Sequence, residues 1–305
     1  MKRLLPLIAL LFIFNTADCQ YNWEIGGKIG AAGYLGDIGG GADDAQKWIK
    51  DLKLEDTRWS IGGFTRYRFT SRWAAGVFVN YARIEGDDNH TINGGRRGRN
   101  LSFRNDMIEF TLRGDFAIYN NYDVGNKGYY NPDFKVYLFA GAGGVLSNPK
   151  AKYEGEVYNL RELTTEGIEY SALQFVVPTG VGAFFTFDRV HRLGMEIQYT
   201  WAFTDYLDDV SSIYADPETL PSDISRILAN RRPEYVPSNP DDIVPNGNNY
   251  TAGNKRGNSA NFDGYLIINF SYSYVLRGKS NFYKRGHYNF LHRKNKKRRK
   301  SRAKF

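Results

Sequence analysis

Apolar and polar side chains alternate with a period of two over long stretches of this chain, as they do in strands whose two faces meet different surroundings. Between Arg192 and Thr204, Leu193, Met195, Ile197, Tyr199, Trp201 and Phe203 share one face, and Gly194, Glu196, Gln198, Thr200, Ala202 and Thr204 share the other. A helical period would mix these sets. Ile108, Phe110, Leu112, Phe116 and Ile118 alternate likewise with Glu109, Thr111, Arg113 and Asp115. Leu266, Ile268, Phe270, Tyr272 and Tyr274 alternate with Ile267, Asn269, Ser271 and Ser273. Weaker versions cover Trp23 to Gly36, Arg58 to Phe69, Trp73 to Ile84, Phe134 to Val145 and Gln174 to Asp188, which makes eight predicted strands.

The connections alternate in length. Asp37 to Thr57, Glu85 to Leu101, Leu146 to Leu173 and Asp205 to Ala260 are long; Thr70 to Arg72 and Arg189 to His191 are short, and Asn120 to Asp133 is intermediate. Long loops at one end, short turns at the other and aromatic girdles near both ends are features of transmembrane β-barrels. Trp59 with Tyr67 and Phe69, and Trp73 with Tyr81, suit such girdles. A soluble sandwich alternates too, but its two sheets share the buried face. The pattern therefore predicts an all-β fold, an eight-stranded antiparallel transmembrane β-barrel with its apolar rows toward lipid. A barrel of that size is filled by its own side chains. Inward Glu109, Arg113, Asp115, Glu196, Arg66 and Arg68 are expected to neutralise one another there, and no conducting pore is expected.

The N-terminus adds a compartment. Lys2 and Arg3 precede an apolar run from Leu4 to Phe14, and small residues follow at Thr16 and Ala17, the layout of an export signal. Residues 1–19 read as a signal peptide, with cleavage after Ala17 or Cys19. Lipidation at Cys19 is disfavoured by Asp18, which stands where a small uncharged residue is needed. The rest of the chain has no apolar run long enough for a spanning helix, and the mean hydropathy of the whole chain is −0.52, so a membrane would be crossed by strands. The domains expected are the signal peptide, the barrel over 20–276 and a tail over 277–305. Both termini are expected to be periplasmic and the long loops external.

The tail changes the charge picture. Thirteen of its residues are Lys or Arg and none is acidic, so a chain of net charge +8 is acidic on balance outside it. Its densest stretch holds Arg293, Lys294, Lys296, Lys297, Arg298, Arg299 and Lys300. Export argues against a nucleic acid, so the expected partner is anionic and periplasmic: the acidic face of a protein assembly, or anionic lipid and cell-wall polymer. Cys19, the single cysteine, could bridge to such a partner if the mature chain retains it.

No catalytic constellation is expected. His90 stands near Asp87 and Asp88, but Ser102 lies in no nucleophile motif, and no Walker A or zinc spacing occurs. Asp205, Asp208 and Asp209 read either as a cation site or, preferably, as the solvated start of a loop. That loop, with Pro217, Pro221, Pro233, Pro237, Pro240 and Pro245, reads as an irregular lid or partner surface, or as a disordered segment. No cofactor or metal is expected.

The stretch from Glu24 to Asp37, EIGGKIGAAGYLGD, resembles the opening strand of the PorG family of the Bacteroidota type IX secretion system. In that family a Gly-rich first strand ends in a Tyr-x-Gly-Asp turn, here Tyr34 to Asp37. The resemblance extends to the eight strands, the long last loop and the basic tail. It implies a non-enzymatic outer-membrane component associated with the periplasmic ring of the lipoprotein PorK and its partner PorN. It supplies no contact residues. The alternative left by the residues themselves is an OmpA-like structural barrel whose tail tethers anionic envelope polymers.

Overall fold

A computed structural model describes residues 23–39, 55–91, 93–121, 133–188, 190–236, 247–259 and 261–276. Five strands come first: β1 (Trp23–Leu35), β2 (Arg58–Arg68), β3 (Trp73–Asp87), β4 (Ser102–Asn121) and β5 (Asp133–Leu146). A short hairpin follows, β6 (Pro149–Tyr153) and β7 (Glu156–Asn159), and then β8 (Leu173–Phe187), β9 (His191–Ala202) and β10 (Gly264–Val275). Eight of these form a closed antiparallel barrel in the order β1-β2-β3-β4-β5-β8-β9-β10, with β10 hydrogen-bonded back to β1. Closure leaves no unpaired edge, as strands in hydrocarbon require.

The predicted strands are all present, and the register puts their faces where alternation placed them. Leu112 is 66% exposed and Trp23 50%, whereas Glu196, Glu109 and Arg113 are each 2% exposed. Apolar outside and charged inside inverts a soluble protein. An exterior of exposed Ile, Leu, Val and aromatic side chains is stable only against lipid, so this is an outer-membrane type of β-barrel. Trp59 stacks on Tyr81 at 4.8 Å near the loop end, while Trp23 meets Tyr67 at 5.0 Å and Trp73 meets Phe116 at 4.7 Å near the turn end.

Among the described residues five cations, Lys28, Arg66, Arg113, Lys135 and Arg192, and four carboxylates, Glu24, Glu109, Asp115 and Glu196, lie buried inside the barrel. Glu196 on β9 receives Arg113 Nη2 at 3.0 Å and Arg66 Nη2 at 3.2 Å, and Lys28 Nζ lies 3.8 Å away. Arg66 Nε also reaches Asp115 at 2.7 Å, and Glu24 pairs with Arg192. Glu109 accepts from Gln198 Nε2 and from the Tyr265 hydroxyl. Arg68, expected in the same network, is only half-buried at the turn-end rim.

Alternation alone misses part of this interior. Phe64, Phe78, Tyr137, Phe139 and Phe184 also point inward. The Arg113 guanidinium lies between the Phe78 and Phe139 rings, 3.8 and 3.7 Å from their centroids. Such cation–ring contacts stabilise a desolvated cation by about 2 kcal/mol. Gly180 makes the room: a Cβ there would lie 2.5 Å from Phe139 Cζ and 2.1 Å from the Ile197 carbonyl oxygen. The β6–β7 hairpin was also not predicted. Its turn residues Glu154 and Gly155 both have positive φ, 48° and 91°, so the Glu-Gly pair was the available signal.

Glu196→Ala leaves Arg113, Arg66 and Lys28 without their shared carboxylate. Removing one partner from a buried ionic network costs about 3–5 kcal/mol. The expected outcome is a barrel that still folds in detergent but unfolds at clearly lower urea, read from the midpoint of its tryptophan fluorescence. An unchanged midpoint would contradict the central role given to Glu196.

Candidate functional site

The two ends of the barrel differ. The connections after β1, β3, β5 and β9 lie at one end and those after β2 and β8 at the other, so long and short connections separate as expected. The connection 122–132, together with residues 1–22 and 277–305, lies outside the described residues. Cys19 and the tail residues Arg293, Lys294, Lys296, Lys297, Arg298, Arg299 and Lys300 fall there too.

At the loop end the connections fold into a cap. β3 and β4 continue paired as far as Asp87 and Ser102. Beyond them lies α1 (Gly94–Arg99), whose first turn is capped by Asn93 Oδ1 accepting from the Gly95 and Arg96 amides. Two more short helices, α2 (Leu160–Leu163) and α3 (Asp223–Ala229), come from the later loops. Ile38, Leu101, Leu160, Leu207, Val210 and Leu228, drawn from four loops, form one apolar cluster with Ala32, Ile84, Val176 and Ile267 at the barrel mouth. Cap and mouth therefore share a core. The described parts of the last loop supply Leu207, Val210 and Leu228 to this core while Pro217, Pro221 and Pro233 stay exposed, and Pro237, Pro240 and Pro245 lie outside the described residues.

Polar pins surround that core. Asp88 is fully buried and receives Arg99 Nε at 2.8 Å, Arg99 Nη2 at 2.9 Å and the Leu101 amide at 3.0 Å. Arg256 Nη1 binds Glu166 Oε1 at 2.9 Å and the Asp209 carbonyl at 2.7 Å.

Four carboxylates meet where cap joins mouth. Asp263 accepts from the Tyr34 hydroxyl at 2.7 Å and the Leu207 amide at 2.9 Å; Asp208 accepts from the Ile38 amide at 3.1 Å and the Val210 amide at 2.9 Å. Asp37 accepts from the Asn258 amide, and Asp205 completes the group. The solvated reading of Asp205, Asp208 and Asp209 is thus corrected. They are 6%, 0% and 2% exposed because the loop start turns inward, where Asp208 accepts from backbone amides while both Asp205 oxygens lack a hydrogen-bond partner among the described residues. Asp209 accepts from the Tyr170 and Thr165 hydroxyls. Among the described residues no group of three or more His, Cys, Asp or Glu is arranged to hold a metal ion.

His90 Nδ1 lies 2.7 Å from Asp56 Oδ1. Burial alone would lower its pKa, but the bond to Asp56 and that residue's charge outweigh burial and raise it. Ser102 lines the same cleft, yet its Oγ accepts from Arg231 Nη1 at 3.3 Å, and no hydrogen bond joins it to His90 among the described residues.

The turn end is narrow. A cavity of about 30 Å³, room for roughly one water, sits among Arg66, Arg68, Arg72, Lys135 and Arg192 with Glu24 and Asp115. The rim is cationic, and the interior above it is filled. Here also the Leu276 amide donates to the Trp23 carbonyl at 2.8 Å, so both described chain ends sit side by side.

Residues 2–220 match the family described as a domain of unknown function, DUF6089. The chain belongs to that family. No curated protein matches it. Among solved structures it is similar to the N-terminal β-barrel domain of Pseudomonas aeruginosa OprF, at 8% identity and TM-score 0.34, covering 84% of this chain and 98% of that one. It is also similar to the outer membrane protein AlkL in lipid bilayers (12%, TM-score 0.34, 86% and 92%) and to Ail, the attachment invasion locus protein of Yersinia pestis (12%, TM-score 0.30, 83% and 98%). In this DUF6089 member the barrel assignment rests on the chain's own register and lipid-facing surface.

The carboxylate cluster makes the cap sensitive to pH. Desolvation, then the charge of Asp37, pushes Asp208 up to about 8; desolvation, reinforced by Asp208 and Asp37, pushes Asp205 up to about 9. Desolvation also raises Asp263. Unfolded carboxyls titrate near ~3.9, so the folded cap holds these protons more tightly. Their contribution is fully present below about pH 4 and is lost as pH rises through about 8 to 9. Amide exchange in 205–212 is expected to be slower, after correction for the intrinsic rate, at pH 6 than at pH 9.5. Asp208→Asn is expected to flatten that difference, and equal protection at both pH values would contradict the assignment.

Proposed function

We propose that this chain is a non-enzymatic component of the type IX protein secretion system in the outer membrane, an anchor for the periplasmic PorK and PorN ring. The resemblance of Glu24 to Asp37 to the opening strand of the PorG family supports the system. The filled barrel supports the role. An interior occupied by the Glu196 network and closed to about 30 Å³ at the turn end suits an anchor and does not suit a conduit.

The observation that carries the reading is the exit of the chain. β10 ends at the turn end, beside the start of β1 and opposite the cap. In an exported barrel with short turns inside, that face is periplasmic, and residues 277–305 with their thirteen Lys and Arg follow directly from it. The tail then meets an acidic ring surface, with Arg293 to Lys300 as its densest part. Outer-membrane lipid is the barrel's second partner. No nucleic acid, cofactor or small-molecule substrate enters this role.

Detergent-solubilised full-length protein, compared with a version ending at Leu276, tests it by affinity purification and mass spectrometry. Ring proteins are expected with the intact chain and are expected to fall away when the tail is removed. If neither version retrieves them, the anchor reading fails and a structural barrel tethering envelope polymers takes its place.

A further inference from the structure

A cleft of about 380 Å³ opens on the flank of the cap, between α1 and the antiparallel contact that 212–214 make with 253–257. Its size falls within the ~300–1,000 Å³ of small-molecule sites. Gly257 in its wall packs too closely to carry a side chain: a Cβ there would lie 2.6 Å from Asp37 Oδ2 and 2.7 Å from the Ser211 carbonyl carbon. Nothing in the anchor role uses this space.

Two buried groups in its wall have bonding capacity that the protein leaves unused. Arg96 is 8% exposed, and its Nη1 donates to the Gly39 carbonyl. No carboxylate stands within ion-pair distance of it among the described residues, whereas neighbouring Arg99 is matched by Asp88 and Arg256 by Glu166. Tyr214 is 3% exposed, and its hydroxyl has no hydrogen-bond partner among the described residues. Burying a guanidinium without a carboxylate and a hydroxyl without a partner is unfavourable unless a ligand completes them.

The remaining wall indicates which ligand. Asn249, Asn254 and Asn258 bring amide groups, which can both donate and accept, as pairs of sugar hydroxyls do. Tyr250 offers an amphipathic ring and meets Tyr214 edge-on at 6.4 Å. The space is too large for an inorganic anion alone. Lys255 adds positive charge to the wall, and the Arg96 guanidinium, planar and forked, fits one carboxylate in bidentate fashion. Asp37, which lines the same cleft, is engaged by the Asn258 amide.

We propose that this cleft binds a hexuronic acid unit, with the sugar carboxylate on Arg96 and its hydroxyls on Tyr214 and the asparagine amides. The site belongs to the cap, at the end of the barrel opposite Leu276, and does not depend on the secretion role.

Titration of the full-length protein in detergent, followed by saturation-transfer NMR, tests it with glucuronate, glucose and acetate as probes. Glucuronate is expected to bind at least about tenfold more tightly than glucose or acetate. Arg96→Gln is expected to remove that preference. Tyr214→Phe removes only a hydroxyl without a partner, so it is expected to leave the urea midpoint unchanged or raised while weakening glucuronate severalfold. This second variant keeps the test decisive if Arg96→Gln disturbs the cap. The methyl glycoside of glucuronate separates the sources: binding equal to the free sugar assigns a glycan unit, binding of the free sugar alone assigns a monosaccharide, and either supports the site. Glucuronate bound no better than glucose or acetate, or bound equally by the parent and Tyr214→Phe proteins, would overturn it.

Discussion

Glu196 is the point on which the interior depends. Its two oxygens sit within reach of cations from three other strands, Lys28 of β1, Arg66 of β2 and Arg113 of β4. These strands lie on different sides of the barrel, so the carboxylate links walls that share no backbone ladder with β9. In a medium of low dielectric none of the four charges is tolerable alone. Together they require a closed sheet of this width. Aromatic rings complete the arrangement, because Phe78 and Phe139 hold Arg113 where Glu196 can meet it.

The cap repeats the logic with different material. Its apolar residues reach down to Val176 and Ile267 at the mouth, and two of its buried cations are pinned in pairs, Arg99 with Asp88 and Arg256 with Glu166. The described parts of the long loops are therefore a folded layer continuous with the barrel, and the carboxylates at the junction are the part of that layer held least comfortably. A rigid cap of this kind can present a shaped surface outward, which loose loops could not do without a large ordering cost.

Much of the barrel was legible in the residues. Eight strands, their outward rows and the inward Glu109, Arg113, Asp115 and Glu196 follow from period-two alternation, because lipid on one side and a narrow polar interior on the other impose it directly. The inward rings of Phe78 and Phe139 were hidden for the same reason: alternation treats a large apolar residue as lipid-facing, and only cations from other strands explain why these are not. Lys28 and Glu24 were hidden in β1, where glycines blur the pattern. The cap core was illegible because Ile38, Leu101, Leu160 and Leu207 come from separate loops with no period of their own. Asp205, Asp208 and Asp209 looked solvated since their burial follows from distant loops, with the Ile38 amide donating to Asp208 and the Thr165 and Tyr170 hydroxyls to Asp209.

The seam between β1 and β10 has a mechanical meaning. β10 is laddered along its length to β1 on one side and β9 on the other, and the chain leaves it at the turn end. A pull on the residues after Leu276, directed away from the membrane, has its larger component along the strand, since barrel strands tilt by only ~35–45° from the axis. The load then falls as shear on two ladders at once, and many hydrogen bonds must yield together before the strand slips. A strand peeled sideways gives way one bond at a time. Whatever grips the tail is thus fastened to the membrane by the geometry most resistant to tearing.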